Sequence, residues 1–133
     1  MKVRQATLKD GRAVRALIRM YPDKLMQKHL PNIENFFVAI EGKKIVGCCA
    51  LEIYSQRLAE IRSLAVHPDH GDNRFASELV DCCLRKAKRH RVYEVLSITG
   101  RPALFERQGF GAFNKEQYAL LMVLGKSRGG GQK

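Results

Sequence analysis

No stretch of this chain is apolar for the ~20 residues that a membrane-spanning helix needs. The longest candidate, Tyr118 to Leu124, is strand length. No apolar signal core follows the opening Met1-Lys2-Val3-Arg4-Gln5, so a cytoplasmic location is expected. No Cys-x-x-Cys occurs. The four cysteines come as two adjacent pairs, Cys48-Cys49 and Cys82-Cys83, and adjacent cysteines are poor zinc ligands, which usually lie two to four residues apart. In a strand such neighbours point to opposite faces. All four therefore read as small apolar residues in a reducing compartment, and no metal is expected. No internal repeat is visible. Low complexity is confined to the tail from Gly125 to Lys133, which three consecutive glycines and scattered positive charge mark as disordered.

What remains is one domain. The chain has 133 residues, 45% hydrophobic and 28% charged, a globular composition with enough length for a core without staples. Residues 1–124 are taken as that domain and 125–133 as the tail. The net charge of +11 is local. Five positives lie between Leu84 and Arg91 and three in the tail, with no acid in either stretch, which leaves +3 for the rest. Such a cluster attracts polyanions. It equally suits a solvated helix end, where cations meet the negative pole of the dipole. A nucleic-acid partner is set aside, because no reader-helix motif and few aromatics accompany the basic residues.

The periodicity gives the element order β-α-α-β-β-β-α-β-α-β. Val3 to Ala6 reads as a strand. Thr7 reads as an N-cap with Asp10 in the first turn, and Ala13, Val14, Leu17, Ile18 and Met20 follow helical spacing until Pro22. A weaker helix is expected over Asp23 to Leu30, before Pro31. Phe36 to Ile40 and Ile45 to Tyr54 form a hairpin about Glu41-Gly42-Lys43-Lys44, and Leu58 to His67 is a further strand. A loop from His67 to Asn73 leads into a helix whose apolar stripe is Phe75, Ala76, Leu79, Val80, Cys83, Leu84 and Ala87. Val92 to Ile98 is a strand, Arg101 to Gln108 a short helix stopped by Gly109, and Gln117 to Leu124 a last strand. This pattern is a mixed α/β sheet with helices on its faces.

The unit that carries chemistry is strand, loop, long helix and strand, from Leu58 to Ile98. The start of the long helix presents free N–H groups and a positive dipole end, a natural anion site. On the residues Ala59-Glu60-Ile61-Arg62-Ser63-Leu64-Ala65-Val66-His67-Pro68-Asp69-His70 and Phe105-Glu106-Arg107-Gln108-Gly109-Phe110, the sequence resembles the GNAT superfamily of acetyl-CoA-dependent N-acetyltransferases. Val3 to Asp10 and Phe37 to Gly47 are similar to the family's opening strand and first hairpin. The resemblance covers about residues 2–124. With Thr99-Gly100-Arg101-Pro102 added, it is narrower, and looks like the acetyltransferase domain of bacterial N-acetylglutamate synthases.

That resemblance implies a mostly antiparallel GNAT sheet with helices on both faces, acetyl-CoA as donor, a small-molecule amine as acceptor (an amino acid such as glutamate) and a tendency to dimerise. It implies that the strand ending at Val66 splays from the next parallel strand and that the pantetheine fills the gap. Leu64, Ala65 and Val66 would then pair with it and polarise the thioester carbonyl. Gly71, Asp72, Asn73, Arg74, Phe75 and Ala76 stand at the pyrophosphate loop, and Phe105 at the coenzyme side. The loop departs from the usual Arg/Gln-x-x-Gly-x-Gly/Ala. Arg74 replaces the central glycine, which normally lets the backbone approach the phosphates, and Asp72 adds negative charge there. Arg74 can compensate as a phosphate ligand. Asp72 or Asn73 can instead be a plain N-cap. Phe105 stands where many members have a tyrosine acting as general acid, a loss that the low basicity of a thiolate (thiol pKa ~8–9) makes tolerable.

Glu60 is the first candidate for the base that deprotonates the amine. His67 is the second, because it titrates near neutrality, and Glu52 a weaker third. A surface ion pair and a loop cap are the plain alternatives for Glu60 and His67. Arg62 and Arg101 are candidates for an acceptor carboxylate, since a guanidinium matches it bidentately. A non-catalytic acyl-CoA-binding domain is the competing reading, favoured by the altered loop and by Phe105.

Overall fold

A computed structural model describes residues 2–71, 73–111, 120, 122, 124 and 125. The strands are β1 (Lys2–Gln5), β2 (Phe36–Glu41), β3 (Lys44–Ile53), β4 (Leu58–Val66) and β5 (Glu94–Ser97). The helices are α1 (Gly11–Arg19), α2 (Arg74–Arg89) and α3 (Pro102–Glu106). Short 3-10 turns cover Leu8–Asp10, Ile33–Asn35 and Pro68–His70. The strands form one sheet in sequence order. Every pairing is antiparallel except β4 with β5, which is parallel because α2 carries the chain back across the sheet. The mixed sheet with helices on both faces is the expected fold class.

Strict alternation along the central strands builds two cores. Phe36, Val38, Cys48 and Ala50 face α1, where they meet Val14, Leu17 and Ile18. Phe37, Ala39, Cys49 and Leu51 face α2 and meet Phe75, Leu79, Val80, Cys83 and Ala87. The adjacent cysteines of β3 thus serve opposite cores, and both are fully buried. Cys49 Sγ lies 3.8 Å from Cys83 Sγ, and desolvation pushes the Cys48 thiol up to about 12. These are packing groups, as their pattern predicted. Gly47 is where α2 comes closest to the sheet. A Cβ there would lie 3.1 Å from Leu79 Cδ1 and 3.4 Å from the Ala65 carbonyl oxygen.

Two differences from the expected order have physical causes. Asp23 to Leu30 is not a helix. Eight residues between two prolines are too few to hold a helix unaided, and His29 takes a positive φ of 56° that no right-handed helix admits. The segment caps α1 instead: the Gln27 amide donates to the carbonyls of Ile18 at 3.0 Å and Tyr21 at 3.3 Å. Secondly, Thr7 and Asp10 cap a 3-10 turn ahead of α1 and not α1 itself. Asp72 of the expected site, the tail beyond Gly125 and the expected final strand apart from Leu120, Met122 and Leu124 lie outside the described residues.

The entry to α1 rests on one buried charge. Asp10 is 6% exposed. Its carboxylate accepts two guanidinium bonds from Arg4, at 2.7 and 3.1 Å, and one from the Thr7 N–H at 2.7 Å. The Arg4 guanidinium, ahead of the Thr7 N–H, lowers the Asp10 carboxyl to about 2, against the opposing effect of burial. Because the folded-state value lies below the unfolded one, this stability is present above about pH 4 and is lost as pH falls toward 2. With Arg4 partly solvated, the pair contributes on the order of 1–2 kcal/mol. Asp10→Asn should lower the unfolding free energy from urea titration at pH 7 by about that amount and flatten the loss of stability between pH 4 and 2.

Candidate active site

The register of β4 creates an opening in the sheet. Its pairing with β5 runs only from Leu58–Glu94 to Ile61–Ser97, while β4 continues to Val66. Residues 62–66 therefore have no β5 partner on that side. His67 N–H donates to the Val46 carbonyl at 2.7 Å. By the alternation of an antiparallel ladder, the N–H and C=O of Val66 then face away from β3, toward the opening. The same strand carries a bulge: Cys48 pairs with Ala65 and Ala50 with Arg62, so Ser63 and Leu64 together oppose Cys49. Ser63 pays for it with a φ of 58°. Leu64 and Val66 pack against the α2-side core, whereas Ala65 belongs to the α1-side core. The Tyr21 hydroxyl donates to the Val66 carbonyl.

Below the opening, His67 to Asn73 leads into α2. His67 Nδ1 accepts the Asp69 N–H at 3.1 Å, so the neutral ring carries its proton on Nε2. This is the loop-capping alternative for His67. Asn73 takes a left-handed φ of 74°, which asparagine tolerates better than most residues. The left-handed turn thus falls on Asn73. Arg74 begins the helix, so no glycine is required there for backbone freedom. The Asn73 side chain makes no N-cap bond; its Oδ1 accepts from the Arg101 guanidinium. Gln108 donates to the Ser77 carbonyl at 3.0 Å, a second tie between the α3 segment and the first turn of α2. Ser77 N–H donates to Asn73 O, so the N–H groups of Arg74, Phe75 and Ala76 precede the helical ladder. An open pocket of about 310 Å³ here is lined by Glu41, Asp69, His70, Gly71, Arg74 and Phe75. The helix start and Arg74 suit a pyrophosphate, although Glu41 and Asp69 reduce the positive field.

The α1-facing side of β4 carries the polar groups. Glu60 pairs in register with Glu52 of β3 and Leu96 of β5. Tyr54 Oη donates to Glu60 Oε1 at 2.6 Å. Partial burial, followed by the Glu60 carboxylate, pushes the Tyr54 phenol up to about 12, so it remains a donor at any working pH. Arg62 Nη2 donates to the His29 carbonyl at 3.1 Å. Glu52, Glu60 and Arg62 are therefore brought together, while Arg101 is held at the start of α2. Phe105 is 5% exposed and stacks edge-on to Phe110 at 5.2 Å. It is a core residue of the cluster against which Leu64 and Val66 pack. Two hydroxyls escaped the sequence reading. Tyr54 could have been found from its two-residue spacing to Glu52 on β3. Tyr21, just before Pro22, gives no such signal.

The sequence pattern described as the acetyltransferase (GNAT) family matches residues 7–110. The chain belongs to the GNAT acetyltransferase family. Its acyl donor is acetyl-CoA. An uncharacterised N-acetyltransferase of Chlorobaculum tepidum is 31% identical over 122 residues, 87% of this chain and 79% of that protein. An amino-acid acetyltransferase of Mycobacterium tuberculosis is 32% identical over 116 residues, covering 81% and 67%. A Mycobacterium tuberculosis protein solved in complex with CoA superposes with a TM-score of 0.80 at 30% identity, over 86% of this chain and 74% of that one. The N-acetylglutamate synthase of Neisseria gonorrhoeae shares the fold, with a TM-score of 0.75 at 23% identity, over 88% of this chain but 30% of its own. In this GNAT enzyme β4 and β5 thus part beyond Ile61–Ser97, and Asn73 supplies the left-handed turn that precedes α2.

Arg101→Ala should raise the KM for acetyl-CoA several-fold and leave the acceptor KM within twofold, because the side chain steadies Asn73. Initial rates with each substrate varied in turn check this. A rise confined to the acceptor would return Arg101 to the carboxylate role.

Proposed function

We propose that this GNAT enzyme acetylates the α-amino group of a small amino acid, with glutamate the first acceptor to try. The observation that carries the reading is the arrangement along β4. A carboxylate at Glu60 and a guanidinium at Arg62 stand on one face, and the strand edge opens immediately beyond them. The amino-acid acetyltransferase named above supports the same acceptor class. The four cysteines, all free thiols, support a cytoplasmic location.

When bound, acetyl-CoA supplies the electrophilic thioester carbonyl and a thiolate that leaves. Leu64, Ala65 and Val66 hold the pantetheine along the open edge, and the backbone N–H groups at the bulge polarise the carbonyl. Gly71, Asn73, Arg74, Phe75 and Ala76 hold the pyrophosphate through the helix start, and the guanidinium of Arg74 adds charge. Arg62 binds the acceptor carboxylate with the donors it does not give to His29. Glu60 takes a proton from the acceptor ammonium. Phe105 contributes an apolar wall and no proton. His67 shapes the loop. A base on β4 and an anion site at α2 thus divide the work between the two ends of the opening.

Calorimetry with acetyl-CoA and a desulfo-CoA control tests the coenzyme site, where micromolar binding is expected. Thiol release is then followed with L-glutamate, other amino acids and primary amines that lack a carboxylate. The reading expects turnover only with the carboxylate-bearing acceptors. Glu60→Gln should lower kcat/KM by about 10²–10³ and remove the acidic limb of its pH profile. An unchanged profile would eliminate Glu60 as the base.

A further inference from the structure

The proposed base does not stand alone on its strand. Glu52 lies directly opposite Glu60, and two carboxylates at one cross-strand position repel each other. The groups that face Glu60 are Glu52 from β3, Tyr54 just beyond its end, Arg62 from β4 itself and the apolar Leu96 from β5. The loop after α1 presents the His29 carbonyl and Met26 Sδ to Arg62, at 3.1 and 3.8 Å. Arg62 is thereby drawn toward that loop. The one hydrogen bond to the Glu60 carboxylate among the described residues comes from Tyr54, at 2.6 Å to Oε1. A short bond of this kind to an ionised acceptor is among the stronger ones. Tyr54 sits one residue past the end of β3, and its N–H donates to the Leu58 carbonyl at 3.0 Å. The ring is thus anchored by its own backbone and is not carried on a free loop.

We propose that Tyr54 is a positioning residue for the base: its hydroxyl holds Glu60 Oε1, so that Oε2 is the atom that takes the acceptor's proton. This rests on the reading of Glu60 as the base. The step balances simply. An N–H bond of the ammonium breaks and an O–H bond forms on Oε2. The electron pair left on nitrogen forms the new C–N bond, the C–S bond breaks with its pair on sulfur, and the second proton lost by nitrogen ends on that sulfur through solvent. Tyr54 keeps its own proton throughout. Its bond holds the carboxylate in place opposite Glu52 and prevents it from turning toward solvent.

The test compares the wild type, Tyr54→Phe and Glu60→Gln. In the first two, the Glu60 side-chain carboxyl is followed by carbon NMR in protein labelled at the glutamate carboxyls, with Glu60→Gln assigning the resonance. Tyr54→Phe is expected to raise the titration midpoint of that resonance by about 0.5–1 pH unit. With L-glutamate as acceptor, the acidic limb of kcat/KM should move by the same amount. Loss of kcat should be about 5–30-fold, and calorimetric binding of acetyl-CoA should be unchanged. The double variant should be no slower than Glu60→Gln alone, because Tyr54 acts only through that carboxylate. An unmoved midpoint overturns the proposal whatever the activity does. A moved midpoint in an enzyme whose Glu60→Gln variant keeps its pH profile overturns the base, and with it the catalytic meaning of the bond. A double variant slower than Glu60→Gln would give Tyr54 a separate role and also overturn the proposal.

Discussion

The parallel pairing of β4 with β5 stops after four residues, and the chemistry of the fold depends on that stop. A parallel pair continued to Val66 would spend the outward N–H and C=O groups of β4 on protein. Ending it at Ile61–Ser97 leaves the last five residues of β4 without a β5 partner. An open edge normally invites another strand. Under the proposed function the extended arm of the coenzyme takes that place. The bulge at Ser63 and Leu64 then turns the edge, so that the groups facing the opening are not a uniform row.

Three devices hold this opening in shape. The two cores clamp β3 and β4 from both faces, so the edge cannot relax by moving out of the sheet. The α3 segment grips the first turn of α2 at Asn73 and Ser77, which keeps the helix start beside the loop. Arg62 and Gln27 fix the irregular segment after α1, one through the His29 carbonyl and the other through the last turn of the helix. That segment borders the face on which Glu60 and Arg62 stand. Under the proposed function, its lack of helix therefore bears on the acceptor side.

Most of the fold was legible because period and burial agree. Cys48 and Cys49 on opposite faces and the stripe from Phe75 to Ala87 follow local rules, whereas the helix expected to run to Gly109 ends at Glu106. The segment from Asp23 to Leu30, read as a weaker helix ended by Pro31, departs from that reading because its energetics are set elsewhere, by carbonyls of α1 that need donors and by a guanidinium on β4. Within the site, Glu60 and Arg62 were legible as alternate residues of one strand, and Glu52 as a carboxylate on the strand before it. Arg101 was not, since a contact across 28 residues to Asn73 leaves no trace in spacing. Arg74 was read as a gap in a glycine pattern. The structure moves the conformational demand one residue back, to a side chain that can meet it.

Gly47 deserves a last consequence. It lies opposite Val66 in the sheet and beneath Leu79 of α2. One missing methyl group therefore sets the height of the helix above the very strand whose edge is open. A larger residue at this position would act as a shim, lifting the helix and tilting its start away from the opening, with no contact to either substrate. The spacing between α2 and the open strand is thus fixed from behind, by the absence of a side chain.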